Sequence, residues 1–277
     1  MNARRLALSP LSPDQYQAVA DLFQPLRFNL LVDAVLAGNT AAQVWADDIG
    51  LPQMALLWNR LDALLLCGRP TAKRVTALRR TLEAEILPAA AARAIPELAL
   101  QATEPWLAAL DDLSAELGAA PAPRRYYIFD RAPSGWPARL PADAAIQPLA
   151  HALRDGRLAH HREAAGWVHS FWPDLATFAA RGLGFGLVRP GLLASWCLSV
   201  YSAHHRRELG VATASNQRSR GYATLVAAAC VTHCHRYHLV PEWHCWEDNR
   251  ASIAVAEKVG FVRPTAYPAY RLPVPPL

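Results

Sequence analysis

The segment Val211-Ala212-Thr213, followed by Gln217-Arg218-Ser219-Arg220-Gly221-Tyr222-Ala223-Thr224, holds the residue types with the clearest chemistry in the chain. Strand-forming residues run into a loop of small and basic side chains, and the loop opens an apolar helix spanning Tyr222 to His238. The first turn of a helix presents N–H groups without intrahelical partners and the positive end of its dipole, so this junction is suited to an anion. Gly221 lets the backbone approach a ligand with no Cβ in the way, Ala223 keeps the next turn small, and Arg218 and Arg220 add hydrogen-bonding forks for phosphate oxygens. The same residues also fit an ordinary strand-to-helix turn carrying two solvated arginines.

A second cluster, Cys230, His233, Cys234, His235 and His238, raises the question of zinc. On a helix Cys230, Cys234 and His238 fall on one stripe, whereas structural zinc sites draw ligands from separate turns with Cys-x-x-Cys spacing. Buried thiols facing a sheet account for the spacing better, and no metal is expected. In the next apolar strand Trp243 and Cys245 share one face, with His244 and Trp246 on the other. One tryptophan is expected in the core and the other beside a site.

These residues are positioned by a recognisable run of elements. Pro173-Asp174 opens a helix to Ala180, and strands follow over Gly184 to Val188, Leu192 to Ser202 and Arg207 to Thr213. After the apolar helix come a strand from Glu242 to Trp246, a helix from Arg250 to Val259 closing in Gly260-Phe261, and a strand from Ala266 to Leu272. Helix, three strands, helix, strand, helix, strand is a layered α/β arrangement. Upstream, Ser12-Pro13-Asp14-Gln15 reads as a capped helix start and Asn29 to Ala37 as a short helix. Strands are expected over Gln43 to Ala46, Met54 to Trp58, Leu61 to Cys67, Glu97 to Ala102 and Arg125 to Asp130, with Asn59-Arg60 as a hairpin turn. Thr71 to Ala92 reads as a long helix interrupted near Pro88, and another helix starts at Pro105. Pro133, Pro137, Pro141 and Pro148 lie close together with little periodicity. The expected division is therefore an α+β domain over 1–132, a linker over 133–148 and a second domain over 149–277.

Arg218-x-x-Gly221-x-Ala223 resembles the Arg/Gln-x-x-Gly-x-Gly/Ala signature of the GNAT superfamily of N-acetyltransferases. Asn249-Arg250-Ala251-Ser252 through Glu257-Lys258-Val259-Gly260-Phe261 is similar to that superfamily's downstream helix motif, and the resemblance runs from about Leu183 to Leu272. Within the superfamily Gly210-Val211-Ala212-Thr213, Ser252 and Ala254 to Phe261 look most like the branch of the zwittermicin-resistance acetyltransferases, which carry a long N-terminal portion. The resemblance implies a GNAT fold, a mixed sheet with splayed strands flanked by helices, beside an N-terminal α+β domain that is itself read alternatively as a degenerate copy.

It also implies acetyl-CoA as co-substrate. The loop from Ser219 to Thr224 (Ser219, Arg220, Gly221, Tyr222, Ala223, Thr224) would hold the pyrophosphate, with Arg218 and Arg220 around it. The strand edge at Val211, Ala212 and Thr213 would take the pantetheine arm in a slot between splayed strands, and Asn249 and Ser252 would meet it from the far side. Transfer to an amine needs a base and a proton donor for the leaving thiolate. Glu208 stands where related enzymes often carry a carboxylate base, sharing a strand face with Gly210 and Ala212; the competing reading is a solvated carboxylate paired with Arg206 or Arg207. His204 and His205 are weaker base candidates. The superfamily's usual acid, a Tyr seven residues after the motif Asn, is replaced by Ala256. That leaves Tyr201, Tyr222, Tyr267, Tyr270 or water as donor.

Composition narrows the remaining classes. The 277 residues are 52% hydrophobic and 18% charged, which excludes a disordered chain or a coiled coil. No apolar run of about 18 residues is free of charge and proline, so no membrane span is expected. Twenty-eight basic against 23 acidic residues give +5, but the arginines are scattered with no long basic run. That favours small anionic ligands over nucleic acid as partners. Five cysteines (Cys67, Cys197, Cys230, Cys234, Cys245) form an odd set, and Arg4 and Arg5 are followed by no apolar leader segment. The chain is accordingly expected to be cytoplasmic with reduced thiols. The expected function is acetyl transfer to the primary amine of a small molecule, and the alternative is a non-catalytic acyl-CoA sensor of the same fold.

Overall fold

The computed structural model describes residues 6–276, so the reading built on Arg4 and Arg5 falls outside the described residues. Its strands are β1 Ser9–Leu11, β2 Gln43–Ala46, β3 Met54–Trp58, β4 Ala63–Gly68, β5 Glu97–Ala102, β6 Ala120–Pro121 and β7 Arg124–Phe129. They continue with β8 Ala145–Pro148, β9 Gly184–Arg189, β10 Leu192–Ala203, β11 Arg206–Thr213, β12 Val240–Trp246, β13 Phe261–Tyr267 and β14 Tyr270–Pro273. The helices are α1 Leu31–Leu36, α2 Ala72–Thr81, α3 Leu87–Ala91, α4 Glu104–Leu117, α5 Leu149–Ala152, α6 His161–Phe171, α7 Leu175–Arg181, α8 Tyr222–Arg236 and α9 Arg250–Lys258.

Local chemistry explains most of these boundaries. Ser12 and Gln15 bond to one another at the first helical turn, where the Ser12 N–H donates to Gln15 Oε1 at 2.9 Å, although the segment they open is a 3₁₀ helix. In the β3–β4 hairpin Asn59 Oδ1 accepts the N–H groups of Leu61 and Ala63, both at 2.9 Å, and Arg60 takes a φ of +58°. Asp174 caps α7 by accepting the Thr177 N–H. The long helix is interrupted near Pro88, as expected, and continues beyond it. A wide π-type turn over Leu82–Ile86 absorbs the missing hydrogen bond and the chain stays helical through Ala91.

The chain divides into two compact units, one of residues 6–36, 41–123 and 268–276, the other of 37–40 and 124–267. The first has a sheet in the order β1-β2-β3-β4-β5-β14-β6, the second a sheet in the order β8-β9-β10-β11-β12-β7-β13. Reading across each sheet, three antiparallel pairings are followed by one parallel pairing (β4 with β5, β11 with β12) and then two antiparallel ones. The N-terminal unit therefore repeats the strand order of the C-terminal one.

This division differs from the expected 1–132, 133–148 and 149–277. Strand β7 lies in the second unit's sheet between β12 and β13, and β14 returns to the first between β5 and β6. Each repeat thus fills the sixth position of its sheet with a strand from the other half of the sequence. The proline-rich stretch is not a linker: it contains β8, which pairs with β9 inside the second unit. Helix α6 was not among the expected elements, although Ala164, Trp167, Val168 and Phe171 recur at helical spacing, with Ala164 and Val168 buried.

Leu56, Leu64, Leu78 and Trp106 belong to the first unit's core. In the second, α8 contributes Leu225, Val226, Cys230 and Cys234 against Cys197, Leu209 and Trp243 of the sheet. No helix among the described residues is long and apolar enough to cross a membrane.

Candidate active site

Strands β11 and β12 begin side by side and then part. Their pairing runs Arg206↔Val240, Arg207↔Pro241 and Glu208↔Glu242 and goes no further, although β11 continues to Thr213 and β12 to Trp246. The Val240 N–H donates to His205 C=O at 2.8 Å, whereas the Ala214 N–H, on the opposite edge of β11, donates to Ala194 C=O at 3.0 Å. Successive backbone amides alternate between the two edges of a strand. The N–H and C=O groups of Leu209, Val211 and Thr213 therefore face β12 beyond the last paired position, along a slot between the two strands.

At the far end of β11 the chain passes Ala214, a 3₁₀ turn over Ser215–Gln217 and the exposed residues Arg218, Ser219 and Arg220 before entering α8. Ser219 and Gly221 have φ of +62° and +77°, and Gly221 occupies the cap position of α8 with no side chain capping the helix. A Cβ added at Gly221 would meet no atom within 4 Å, so the space above the helix N-terminus is open. Two left-handed residues ahead of an uncapped helix turn the leading N–H groups outward, a geometry suited to a diphosphate. Tyr222 differs from its neighbours, because its side chain is buried and its hydroxyl meets Arg189 Nη1 at 3.4 Å, leaving only its backbone for a ligand. Across the slot Asn249 Oδ1 caps α9 by accepting the Ser252 N–H at 3.0 Å, and Ser252 Oγ accepts Trp243 Nε1 at 3.0 Å. Asn249 keeps its amide donors; the Ser252 hydroxyl already serves the core tryptophan.

Glu208 stands at the vertex where the strands part and is only 7% exposed, which corrects the reading of a solvated surface carboxylate. It lies across from Tyr201 and on the same face as Gly210. A Cβ at Gly210 would come within 2.7 Å of Val200 and 3.3 Å of Trp167, so glycine is what allows α6 to close over this face. Phe171 of α6 bridges Trp167 and Tyr201 with edge-on ring contacts of 6.0 and 5.8 Å.

The rest of this face comes from β12 and β13 together with β7, a strand that the sequence reading assigned to the N-terminal domain. Tyr126 of β7 pairs with His244 of β12 at 4.7 Å between ring centroids, and Arg124 lies 4.8 Å over the Trp246 ring. The Tyr267 hydroxyl accepts Arg124 Nε at 3.1 Å and meets His244 Nδ1 at 3.0 Å. Burial pushes the Tyr267 phenol up to about 12, while desolvation and then the charges of Arg124 and Arg206 hold His244 well below its ordinary value near 6.5. Arg206 is held by Glu242 in a two-pronged pair, its Nη2 3.0 Å from Oε2. Trp246 is thus the tryptophan beside the site and Trp243 the core residue.

The other expected positions sort plainly. His204 and His205 form the exposed turn of the β10–β11 hairpin, at the opposite end of β11 from Val211 and Thr213. Tyr270 belongs to the first unit's sheet and donates to Asp111, whereas Tyr201 and Tyr267 share the Glu208 face. Ala256 is fully buried among core residues, so this position of α9 packs rather than faces a ligand. Cys230 and Cys234 are buried with raised thiol pKa values, Cys234 to about 12 through burial, and among the described residues no group of three metal-ligating side chains converges.

The first unit lacks the slot. Pairing of β4 with β5 continues from Ala63↔Ala99 to Leu66↔Ala102, and the Thr103 N–H donates to Leu66 C=O at 3.0 Å, which zips the equivalent strands together.

Comparison with known proteins agrees with this geometry. A 32% identity over 106 residues, 38% of this chain and 41% of the relative, links it to the uncharacterised N-acetyltransferase YdfB of Bacillus subtilis (strain 168). The match therefore spans about two-fifths of that relative's length. Among solved structures, a GCN5-related N-acetyltransferase-like protein from Streptococcus suis superposes with a TM-score of 0.67 at 20% identity, covering 93% of this chain and 98% of that one. A tandem GNAT protein from the clavulanic acid biosynthesis pathway does so with a TM-score of 0.54 at 16% identity, covering 98% and 99%. These structures share the fold, and the repeated sheet is consistent with the tandem arrangement named for the second. The family model for GNAT acetyltransferases matches residues 20–270, nearly the whole chain, and the protein belongs to the GNAT acetyltransferase family.

Proposed function

We propose that the protein transfers an acetyl group from acetyl-CoA to the primary amine of a small molecule, within the second unit. The observation that carries this reading is the parting of β11 and β12 immediately after Glu208↔Glu242, with an uncapped, open helix N-terminus at the end of the same strand. The backbone edges of Val211 and Thr213 offer neutral amides to pantetheine, and the turn from Ser219 to Thr224, with Arg218 and Arg220, offers N–H groups and charge to the diphosphate. Asn249 closes the far side with its amide donors. When bound, acetyl-CoA supplies the activated acyl group.

Glu208, at the vertex, accepts the proton of the incoming ammonium so that the amine attacks as a free base. The rings of Tyr201, Tyr126 and Phe171 around the carboxylate suit a cationic acceptor. Tyr267, bonded to Arg124 and His244, is the hydroxyl on this face best held to return a proton to the thiolate. The detailed likeness of the helix motif favours the zwittermicin-resistance type of acceptor chemistry, an amine of an antibiotic-like molecule. The reading further takes the protein to work in the cytoplasm without metal or nucleic acid.

Thermal unfolding with millimolar acetyl-CoA, followed by thiol release across a panel of amines, aminoglycosides and amino acids, tests the proposal. Binding should raise the melting temperature by mass action, and at least one amine should release thiol. No melting shift removes the co-substrate; a shift without turnover on any amine makes the protein an acyl-CoA sensor, the reading that Ala256 would favour.

A further inference from the structure

A separate cavity of about 330 Å³ opens at the hairpin end of β10 and β11 and is lined by Asn39, Arg181, Ser202, His204 and Arg207. Arg207 stands about 20 Å along β11 from Thr213, at 3.3 Å per residue, so the cavity is remote from the diphosphate turn. Its charge is one-sided. Among the described residues no carboxylate lies within ion-pair distance of Arg181 or Arg207, and the acidic neighbour Glu242 is taken by Arg206.

Arg207 is half-buried. Its Nη1 donates to the carbonyls of His204 and Arg206 at 3.0 and 2.7 Å, but its Nε has no partner. Burial alone pulls its pKa down, with no nearby carboxylate to offset the desolvation. A guanidinium stays charged even so, and a half-buried charge held only by backbone carbonyls has no counter-charge beside it. Ser202 is 1% exposed, and its hydroxyl likewise lacks a hydrogen-bond partner. Arg181 is held toward the same place by Asn39 Oδ1 at 3.2 Å, and Asn39 in turn is fixed by donating to Ser202 C=O at 2.7 Å. A segment far away in sequence, residues 37–40, thus completes the wall and sets the angle of one arginine.

We propose that this cavity is a second anion site, distinct from the co-substrate turn, which binds a phosphoryl group through Arg207 and Arg181 with Ser202 as an additional donor. Two guanidinium forks and a hydroxyl around one cavity match the several acceptor oxygens of a phosphate dianion better than the two of a carboxylate. The ligand supplies the counter-charge that Arg207 lacks, and the cavity has room for a small phosphate monoester as well as for inorganic phosphate.

Titration calorimetry on the full chain in phosphate-free buffer tests the site, using inorganic phosphate, glycerol 3-phosphate and, as a carboxylate control at equal ionic strength, acetate. The wild type should bind phosphate, and Arg181→Gln should weaken that binding about tenfold or more, as loss of a charged hydrogen bond predicts. Arg207→Gln should abolish the component of phosphate binding that belongs to this cavity, while Arg220→Gln in the diphosphate turn should leave that component in place. Tighter binding of glycerol 3-phosphate than of phosphate identifies an organic monoester as the occupant, and the reverse order identifies the free ion. Absence of phosphate binding, equal binding of acetate, or identical isotherms for wild type and Arg181→Gln would overturn the proposal. Arg181 lies at a helix end, so its variant keeps the test decisive even if Arg207→Gln fails to fold.

Discussion

Glu208 shows how much a single residue depends on its place in a ladder. Its position on the strand was readable from alternation, but its burial was not, because the covering rings come from α6 and β7. Glu208→Gln keeps size and hydrogen bonding and removes the base. Turnover should fall about 10²–10⁴-fold with little change in acetyl-CoA affinity, and the loss should shrink as pH rises and free amine accumulates. Rate profiles against pH for both proteins check this; superimposable profiles would exclude Glu208 as the base.

His244 yields a stability prediction on the same face. Its folded pKa is depressed below the ordinary value near 6.5, so below that pH the unfolded chain binds the extra proton and the folded one resists it. The contribution of neutral His244 is present above pH 6.5 and is lost as pH falls through the range below it. His244→Gln should flatten the dependence of stability on pH between about 6.5 and 5, measured by urea unfolding at a series of pH values.

At the scale of elements, β11 and α8 form one device. The strand offers a free backbone edge and the helix an uncapped N-terminus, and the link between them turns on Ser219 and Gly221 in left-handed conformations. Space is not the constraint at Gly221, since nothing lies within 4 Å of a Cβ there; the backbone is, because a branched side chain strains a φ of +77°. Gly221→Val should therefore shift the turn and screen the helix N-terminus, weakening acetyl-CoA binding by at least tenfold while the circular dichroism spectrum is retained. Unchanged affinity in the folded variant would move the co-substrate elsewhere. The turn was legible because glycine, small residues and arginine at a strand-to-helix junction are a local pattern. The closure of the equivalent pairing in β4–β5 was not, since ladder length depends on partners distant in sequence.

For the molecule as a whole, the exchange of β7 and β14 matters most. Strand β7 bridges β12 and β13, and β14 bridges β5 and β6. A fragment of residues 149–277, cut at the boundary that the proline content suggests, lacks both β7 and β8 and leaves the facing edges of β12 and β13 unpaired. It should be insoluble or molten and should not bind acetyl-CoA, because open apolar strand edges favour aggregation. The full chain should unfold cooperatively under the same conditions. A folded, acetyl-CoA-binding fragment, seen by heteronuclear NMR, would contradict this account of the exchanged strands.

Local physics made the element order from α7 to α9, the small-residue turn and the Asn249 cap readable from the sequence alone, whereas the expected last strand, Ala266 to Leu272, is divided between β13 and β14 in different sheets. Strand alternation, helix-start residues and glycine at a tight approach act over a few residues and leave their mark in spacing. Tertiary structure decided which strands close each sheet and which rings cover Glu208. It also decided that residues 37–40 meet the β10–β11 hairpin to orient Arg181. Those outcomes rest on pairings across more than a hundred residues, such as Tyr126 with His244 and Asn39 with Ser202, for which one-dimensional spacing carries no signal.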